Sequence, residues 1–585
     1  MWVCMLLCLM QPRAAHCCIA ATPLPTHATA PSATDGAPAP ETAEQAYRQA
    51  RAWLDRDSLP DSDSAEARMA LDGVTGVSVV LRLDGRAVGA GADCKGDDRM
   101  LRRAVGQAVA KALGDETIRR VRTDAGDRIT VRLSLEVELA GTLVPLIGRT
   151  IAEASARVVP GRDGLAVRRG DDAYYAFPSR MMVTDSANRT AGAITALLVD
   201  AGLPAKDLNE FDTSERVGLA RFASIRLRAD TPTDAPERIE RGGRTIALAE
   251  ITPGASRVLA TRLVARLAGQ VAPDASGARA MLRGTLDPSR GEYEPPFATP
   301  RQAALAAMAL AEAGTGDAVP SPVAAKARER AALLVRTLAE LPEAQRVVPV
   351  DSLCAIAAVG CLPADDPLRA TLAARAAAEL DRQRAPGDGG SPAALVFAAL
   401  AVARTDNDRG PARAAEAAHD LIARSGAKPS LVLQAALPLA MLGRLGTLDA
   451  ECAAEVRGVL GQLASQLEPL QVGADPEASS GIPEDLVGGL MNPSGPRVRI
   501  EADCLPHLAA LAVARLDGRG DMTRRSVRFL SQLVADDPWV GGFRSPDDLR
   551  GLVRGSLGGC ACPPDPLILG VLLATAAADS APGGK

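Results

Sequence analysis

At 585 residues the chain is too long for one hydrophobic core, and domains of about 100 to 200 residues set the expectation at two to four. Sixty-six basic against 71 acidic residues leave a net charge of -5 with no clustered basic stripe, which argues against a nucleic-acid surface. Aromatic residues are only 2 % of the chain, too few for large sugar-stacking platforms, whereas the abundance of Ala, Leu, Val and Arg favours helices with small aliphatic cores.

Residues 1–21 open with the apolar run WVCMLLCLM, followed by small residues suited to a leader peptidase, and read as a signal peptide. The expected location is therefore outside the cytoplasm, periplasmic or extracellular, with a cytoplasmic protein whose start codon is misassigned as the alternative. The run is far shorter than the roughly 18 residues that span a bilayer, so an integral membrane protein is not expected. Residues 22–42 are rich in Ala, Pro and Thr and read as a linker. Seven cysteines follow, Cys94, Cys354, Cys361, Cys452, Cys504, Cys560 and Cys562, an odd number at irregular spacing that is not a disulfide framework.

Thr42 and Gln45 form a capping-box pattern ahead of Ala46, Ala50, Trp53 and Leu54 at helical spacing. Val77, Val79, Leu81 and Leu83 alternate up to the turn signal Asp84-Gly85, which predicts a hairpin returning through residues 86–91. Leu101, Ala104, Val105, Ala108 and Ala112 predict a second helix closed by Gly114. Ile129, Val131, Leu133, Leu135, Val137 and Leu139 alternate over eleven residues and predict a half-buried strand.

Residues 158–177, VVPGRDGLAVRRGDDAYYAF, lead through Pro178 to the helix-like AGAITALLVDAGLP. This stretch resembles the core signature of the AMMECR-type family, named for the AMME-syndrome candidate gene. The counterparts of its Gly-x-x-Gly-Leu strand pair, Pro corner and Ala-Gly-Leu helix end are Gly161, Gly164, Leu165, Phe177, Pro178, Ala201, Gly202 and Leu203. The resemblance runs over residues 43–228, where Arg221-Phe222 resembles the family's last strand, and it implies an α+β domain. The family's Leu-Arg-Gly-Cys-Ile-Gly motif falls on residues 87–92, with Val88 and Ala90 at the Arg and Cys positions. Neither side chain supplies a thiolate or an anion-binding guanidinium, so activity that needs those groups is not expected. Cys94, beside Lys95, is the one thiol near enough to substitute, and a small core residue is its simpler role.

Residues 229–244, with the sequence DTPTDAPE at their centre, read as a connector, and helical stripes then occupy residues 245–580. Examples are residues 258–271, 301–313, 322–341, 367–380 and 412–424. LVGGLMNP at 486–493 and WVGGFRSP at 539–546 recur at an offset of about 53 residues, with degenerate members at 389–392 and 284–288. Pattern and spacing give an all-α array of helical hairpins. The array resembles the α/α toroids of terpene-cyclase and hexuronyl-epimerase type, and the resemblance implies closure into a ring; an open HEAT-like solenoid is the structural alternative.

Glu501, Asp503, Cys504 and His507 form the only dense group of acid, thiol and imidazole, and Glu501, Asp503 and His507 are the candidate catalytic residues. His419 is the only other histidine past the leader region, so Ser-His-Asp chemistry has little to build on. Cys504 and His507 with Cys560 and Cys562 make an alternative zinc set, against which stands simple packing of the same side chains. Glu292, Tyr293 and Glu294 read as a solvated loop or as an acid pair at a mouth. Arg162, Arg168 and Arg169 read as a solvated strand face or as an anion site. No cofactor is implied. The favoured function is non-enzymatic binding or scaffolding, with an unknown protein or small-molecule ligand as partner; the alternative is a toroid enzyme acting on a carbohydrate or isoprenoid-like substrate.

Overall fold

A computed structural model describes residues 36–579 except 126–128, 171, 212–216, 386–390, 426–429, 475–481, 492–501 and 544. The expected signal peptide and most of the linker lie outside the described residues. Among the described residues no helix is long and apolar enough to cross a membrane.

The N-terminal part is an antiparallel sheet with helices on it. Its strands are β1 (Gly76–Leu83), β2 (Arg86–Asp93), β3 (Ser134–Ala140), β4 (Val144–Pro145), β5 (Asp163–Arg169), β6 (Asp172–Ala176), β7 (Val217–Arg228), β8 (Glu237–Glu240) and β9 (Gly243–Arg244). The main order is β2-β1-β3-β7-β5-β6, with β4 and β8 also paired to the long β7 and β9 paired to β8. Asp84 and Gly85 both have positive φ, as the two-residue hairpin turn requires.

Helices α1 (Pro40–Asp55) and α2 (Met100–Gly114) bury Ala46, Ala50, Trp53, Ala104 and Ala108 against Val77, Val79, Leu81, Leu135 and Val137. A Cβ at Gly89 or Gly91 would stand 2.2 Å from a carbonyl of α2, so these glycines set how closely the helix lies on β2. The expected capping box at Thr42 is not used. Pro40 starts α1 two residues earlier, where its fixed φ suits the first helical position. The expected eleven-residue strand is also shortened, because residues 129–132 form a 3₁₀ turn and β3 begins only at Ser134. A helix the sequence reading omitted, α3 (Glu116–Ala125), fills the interval. Three further helices, α4 (Ile151–Ser155), α5 (Pro178–Val183) and α6 (Thr190–Asp200), pack on the β5 end of the sheet.

The C-terminal part is a closed α/α toroid. Its helices are α7 (Pro253–Gln270), α8 (Pro300–Thr315), α9 (Ser321–Ala339), α10 (Val350–Cys361), α11 (Pro367–Arg384), α12 (Pro392–Thr405), α13 (Gly410–Ser425), α14 (Ser430–Gly443), α15 (Ala450–Leu467), α16 (Leu505–Ala514), α17 (Gly520–Leu533), the single turns α18 (Asp537–Val540) and α19 (Pro546–Leu549), and α20 (Pro564–Asp579). Among the described residues α8, α10, α12, α14, α16 and α20 each touch the next, and α20 returns to α8, closing an inner ring. Helices α7, α9, α11, α13, α15 and α17 form the outer layer.

Sequence explains the layering. Inner helices are apolar almost all round, as in α12, where Ala394 to Ala403 are all buried, while outer α9 buries only the stripe Ala324, Ala327, Ala331, Leu334, Val335 and Leu338. The ring closes where Gln302 Nε2 donates to Asp565 Oδ2 at 2.7 Å. At the other end of the inner helices, Arg404 pairs with Glu312 and Arg515 with Asp579, placing cations at helix C-termini, where the dipole favours them. The apolar core of the toroid continues without a break into Leu165, Val167, Met181, Ile194 and Leu219 of the sheet domain.

Candidate functional site

Alternation along β1, β3 and β7 puts Arg82, Glu136, Glu138, Ser224, Arg226 and Arg228 on the sheet face opposite α1 and α2. In a free domain this face would be wet. In this protein every residue of β3 is buried, including Glu136 and Glu138 at 2 % exposure each, because loops leading to the N-terminal ends of the inner helices lie on it. The expected half-buried strand is thus covered on both faces.

Of the two recurring Gly-Gly segments, the one at Gly541 makes the close approach to the sheet, and the one at Gly488 packs on α17 within the toroid. A Cβ at Gly541 would stand 2.2 Å from Gly85 O in the β1–β2 turn, and one at Gly488 would stand 1.8 Å from Arg525 O. Arg82 Nη1 donates to Gly541 O, Arg228 Nη1 donates to Pro538 O, and both guanidinium groups are buried. The β8–β9 turn, Arg241-Gly242, has positive φ at both positions and inserts against Trp539. Arg241 Nη1 meets Asp485 Oδ2 at 2.5 Å, with the two side chains 2 % and 1 % exposed. Arg554 donates to the carbonyls of Arg241 at 2.8 Å and Gln532 at 2.6 Å, and its guanidinium lies 5.4 Å from the Trp539 ring centroid. Arg528 donates to the carbonyls of Ile246, Glu484 and Val487.

Electrostatics follow from burial against pairing. Burial alone would raise the Glu136 carboxyl, but Arg226 at 2.7 Å and Arg82 at 2.9 Å prevail and hold it at about 2. Glu138 goes the other way: burial raises it, against the pull of Arg226 and the hydroxyls of Ser179 and Ser224. Burial lowers Arg554 and Arg528 from the usual arginine value. The seam is therefore an arginine-rich joint saturated largely by backbone carbonyls. Its geometry clamps two domains.

The sequence-selected residues are not gathered here. Glu501 lies outside the described residues. Asp503 is exposed in a 3₁₀ turn, Cys504 is buried at the start of α16, and His507 is half-buried in its first turn. Burial, reinforced by the facing Asp185, pushes the Cys560 thiol up, and Cys562 forms an antiparallel bridge with Leu286, its thiol pushed up to about 12 by burial. Among the described residues no three His, Cys, Asp or Glu side chains converge as a metal would need, so the alternative set Cys504, His507, Cys560 and Cys562 is not assembled. Tyr293 donates to Gln270 Oε1 at 3.0 Å, and Glu292 and Glu294 are exposed, Glu292–Tyr293 forming a short strand paired with Leu286–Asp287 where a loop was expected. The arginine group is split: Arg168 and Arg169 are exposed, with Arg169 donating to Ala201 O after α6, whereas Arg162 turns into the seam. His419 pairs with Glu455 on α15.

Cys94 packs with Tyr175, Phe177 and Phe222, and burial, reinforced by Asp93, pushes its thiol up to about 12. Val88 is buried and Ala90 exposed on β2. The seam arginines were missed in the sequence because a lone Arg in an alternating strand or a Gly-rich loop looks like a solvated one. Glycine pairs at a fixed offset were the one available signal.

No family model matches the chain, and no curated protein matches it. Among solved structures, an uncharacterised protein from Pyrococcus horikoshii aligns with 17% identity over 34% of this chain and 97% of its own, at a TM-score of 0.23. A metagenome-derived glycoside hydrolase family 9 endoglucanase aligns with 14% identity over 76% of this chain and 96% of its own, at a TM-score of 0.36.

Two outcomes are expected. Asp485→Asn leaves Arg241 buried without its counter-charge and should cost about 3 to 5 kcal/mol in urea unfolding, with much of it recovered in Arg241→Met/Asp485→Leu; a loss below about 1 kcal/mol would contradict the pairing. Cys94 should react slowly with iodoacetamide at neutral pH, and its rate should still be climbing at pH 10, since a raised thiol pKa keeps the thiolate scarce until then. A plateau at or below pH 9 would contradict this.

Proposed function

We propose that the chain is a non-enzymatic binding or scaffolding protein in which an AMMECR-like α+β domain with a degenerate motif sits on the mouth of an α/α toroid. The supporting observation is Arg82: its guanidinium leaves the sheet to bind Gly541 O, while the Gly541 backbone rests on the Gly85 turn. The segments before α16 and α20, at the end of the ring where a toroid would admit a substrate, are engaged by the chain's own sheet domain, and a concave open pocket is what an active site needs. Val88 and Ala90 at the family's Arg and Cys positions, and a Cys94 thiol held neutral by burial, support the same reading on the sheet side.

Acids on the inner helices are engaged in structure. Asp565 accepts from Gln302, and Asp351 lies 3.6 Å from Arg346 and 3.7 Å from Arg375. Under this reading a protein or small-molecule partner is met on outer surfaces, and the seam keeps those surfaces in a fixed arrangement.

The test is a turnover assay of the purified protein and of Asp485→Asn, whose seam is loosened, on soluble β-glucans, xylan oligosaccharides and prenyl diphosphates. Neither protein is expected to form product above a no-protein control. Product formation that disappears in Asp565→Asn or Asp351→Asn would overturn the proposal in favour of a toroid enzyme acting on a carbohydrate or isoprenoid-like substrate.

A further inference from the structure

Between the sheet and the β8–β9 turn lies a cavity of about 30 Å³, walled by Glu138, Arg162, Arg226, Glu240 and the Arg241-Gly242 turn. That is room for a single water. Much of the polar surface around it is already satisfied: Glu138 accepts from Ser179 and Ser224, Arg226 donates to Glu136, and Arg241 donates to Asp485 Oδ2.

One donor and two acceptors are left over. Arg162 Nη1, Glu240 Oε2 and Asp485 Oδ1 are buried atoms with no hydrogen-bond partner from the protein. Glu240 holds Arg238 Nη2 at 2.7 Å with its other oxygen, as Asp485 holds Arg241 with its own. Arg162 Nε stands 3.8 Å from Glu240 Oε2, too far for a hydrogen bond and in the range that a bridging water spans. Asp485 belongs to the same group. Burial disfavours the charged form of Arg162, and Glu240 and Asp485 both oppose it, so both carboxylates lie within the field of one guanidinium.

We propose that this cavity is a binding site for one structural water, which accepts from Arg162 Nη1 and donates its two hydrogens to Glu240 Oε2 and Asp485 Oδ1. An acceptor and two donors on one small molecule are the complement of the three atoms left over. A halide brings no donor for the carboxylates, and a cation brings no acceptor for the guanidinium, so neither satisfies all three. Arg162 directly precedes β5, Glu240 ends β8, and Asp485 sits in the 3₁₀ turn at residues 484–486 of the toroid. The water therefore joins the sheet, the β8–β9 hairpin and the toroid at one point, and it stabilises the seam by satisfying polar groups that burial would otherwise leave bare. The inference concerns the seam itself and stands whether or not the chain proves to be an enzyme.

High-resolution diffraction from the unaltered protein tests the site directly, with crystals grown in sodium bromide and in rubidium chloride. The expected result is one peak in the cavity that refines as oxygen, within hydrogen-bond distance of Arg162 Nη1 and of at least one of the two carboxylate oxygens, with no anomalous signal in either salt. An anomalous peak there, a direct Arg162–Glu240 ion pair that closes the gap, or a cavity without density overturns the proposal. In solution, thermal unfolding is compared in chloride, bromide, gluconate and rubidium salts at equal ionic strength. The spread of Tm among these salts should be the same in the unaltered protein and in Arg162→Met, because the occupant carries no charge. A salt-specific rise in Tm that is lost in Arg162→Met identifies a bound ion and overturns the proposal. If Arg162→Met does not fold, the diffraction result on the unaltered protein decides.

Discussion

A buried guanidinium group must find acceptors, and that requirement ties this structure together. Arg82, Arg228, Arg241, Arg528 and Arg554 are all nearly inaccessible, and Arg82, Arg228, Arg241 and Arg554 each have an acceptor across the boundary between sheet and toroid. Leaving such a charge unpaired costs several kcal/mol, far more than a surface ion pair contributes. With the domains docked, removing one of these acceptors therefore leaves a guanidinium short of a partner inside the seam. Arginine suits the task, since its planar fork donates to several carbonyls at once and is weakly hydrated.

The toroid supplies the other half of the constraint. Its inner helices are built from Ala, Leu and Val and bury every face, which brings them close and leaves the polar business to the loops at their ends. Loops that carry Gly-Gly can bring bare backbone against a neighbour, and Gly541 meeting Gly85 is the clearest instance. Carbonyls freed at those loops become the acceptors that the sheet's arginines need. Continuity of the apolar core from α20 into Leu165 and Val167 then makes the boundary a packed interface with a polar centre.

Much of the architecture was legible in residue periodicity. The β1–β2 hairpin, α2 and the helical stripes from α7 onward follow from alternation, turn signals and 3.6-residue spacing, while the β5–β6 pair was expected from the resemblance alone. Sequence alternation in β3 was read correctly as a strand and wrongly as half-buried, because periodicity reports that two faces differ and not what covers the polar one. Glu136 and Glu138 look like solvated residues until Arg226 and the mouth loops are in place. Ring closure likewise depends on α20 meeting α8 across some 250 residues of chain, a long-range pairing that local pattern does not encode. The candidate group around Asp503 and His507 was chosen for density of reactive residue types, and the structure places it at one helix start, away from the seam.

Hydrogen exchange measured by mass spectrometry tests the central claim, that sheet face and toroid mouth are one buried unit. In the unaltered protein, peptides covering β3 and β7 and the peptide covering residues 536–543 should exchange slowly, and in Asp485→Asn they should lose protection together, as one cooperative unit does. Rapid exchange of residues 536–543 in the unaltered protein while β3 and β7 remain protected would show that the loop does not rest on the sheet, and would contradict the account.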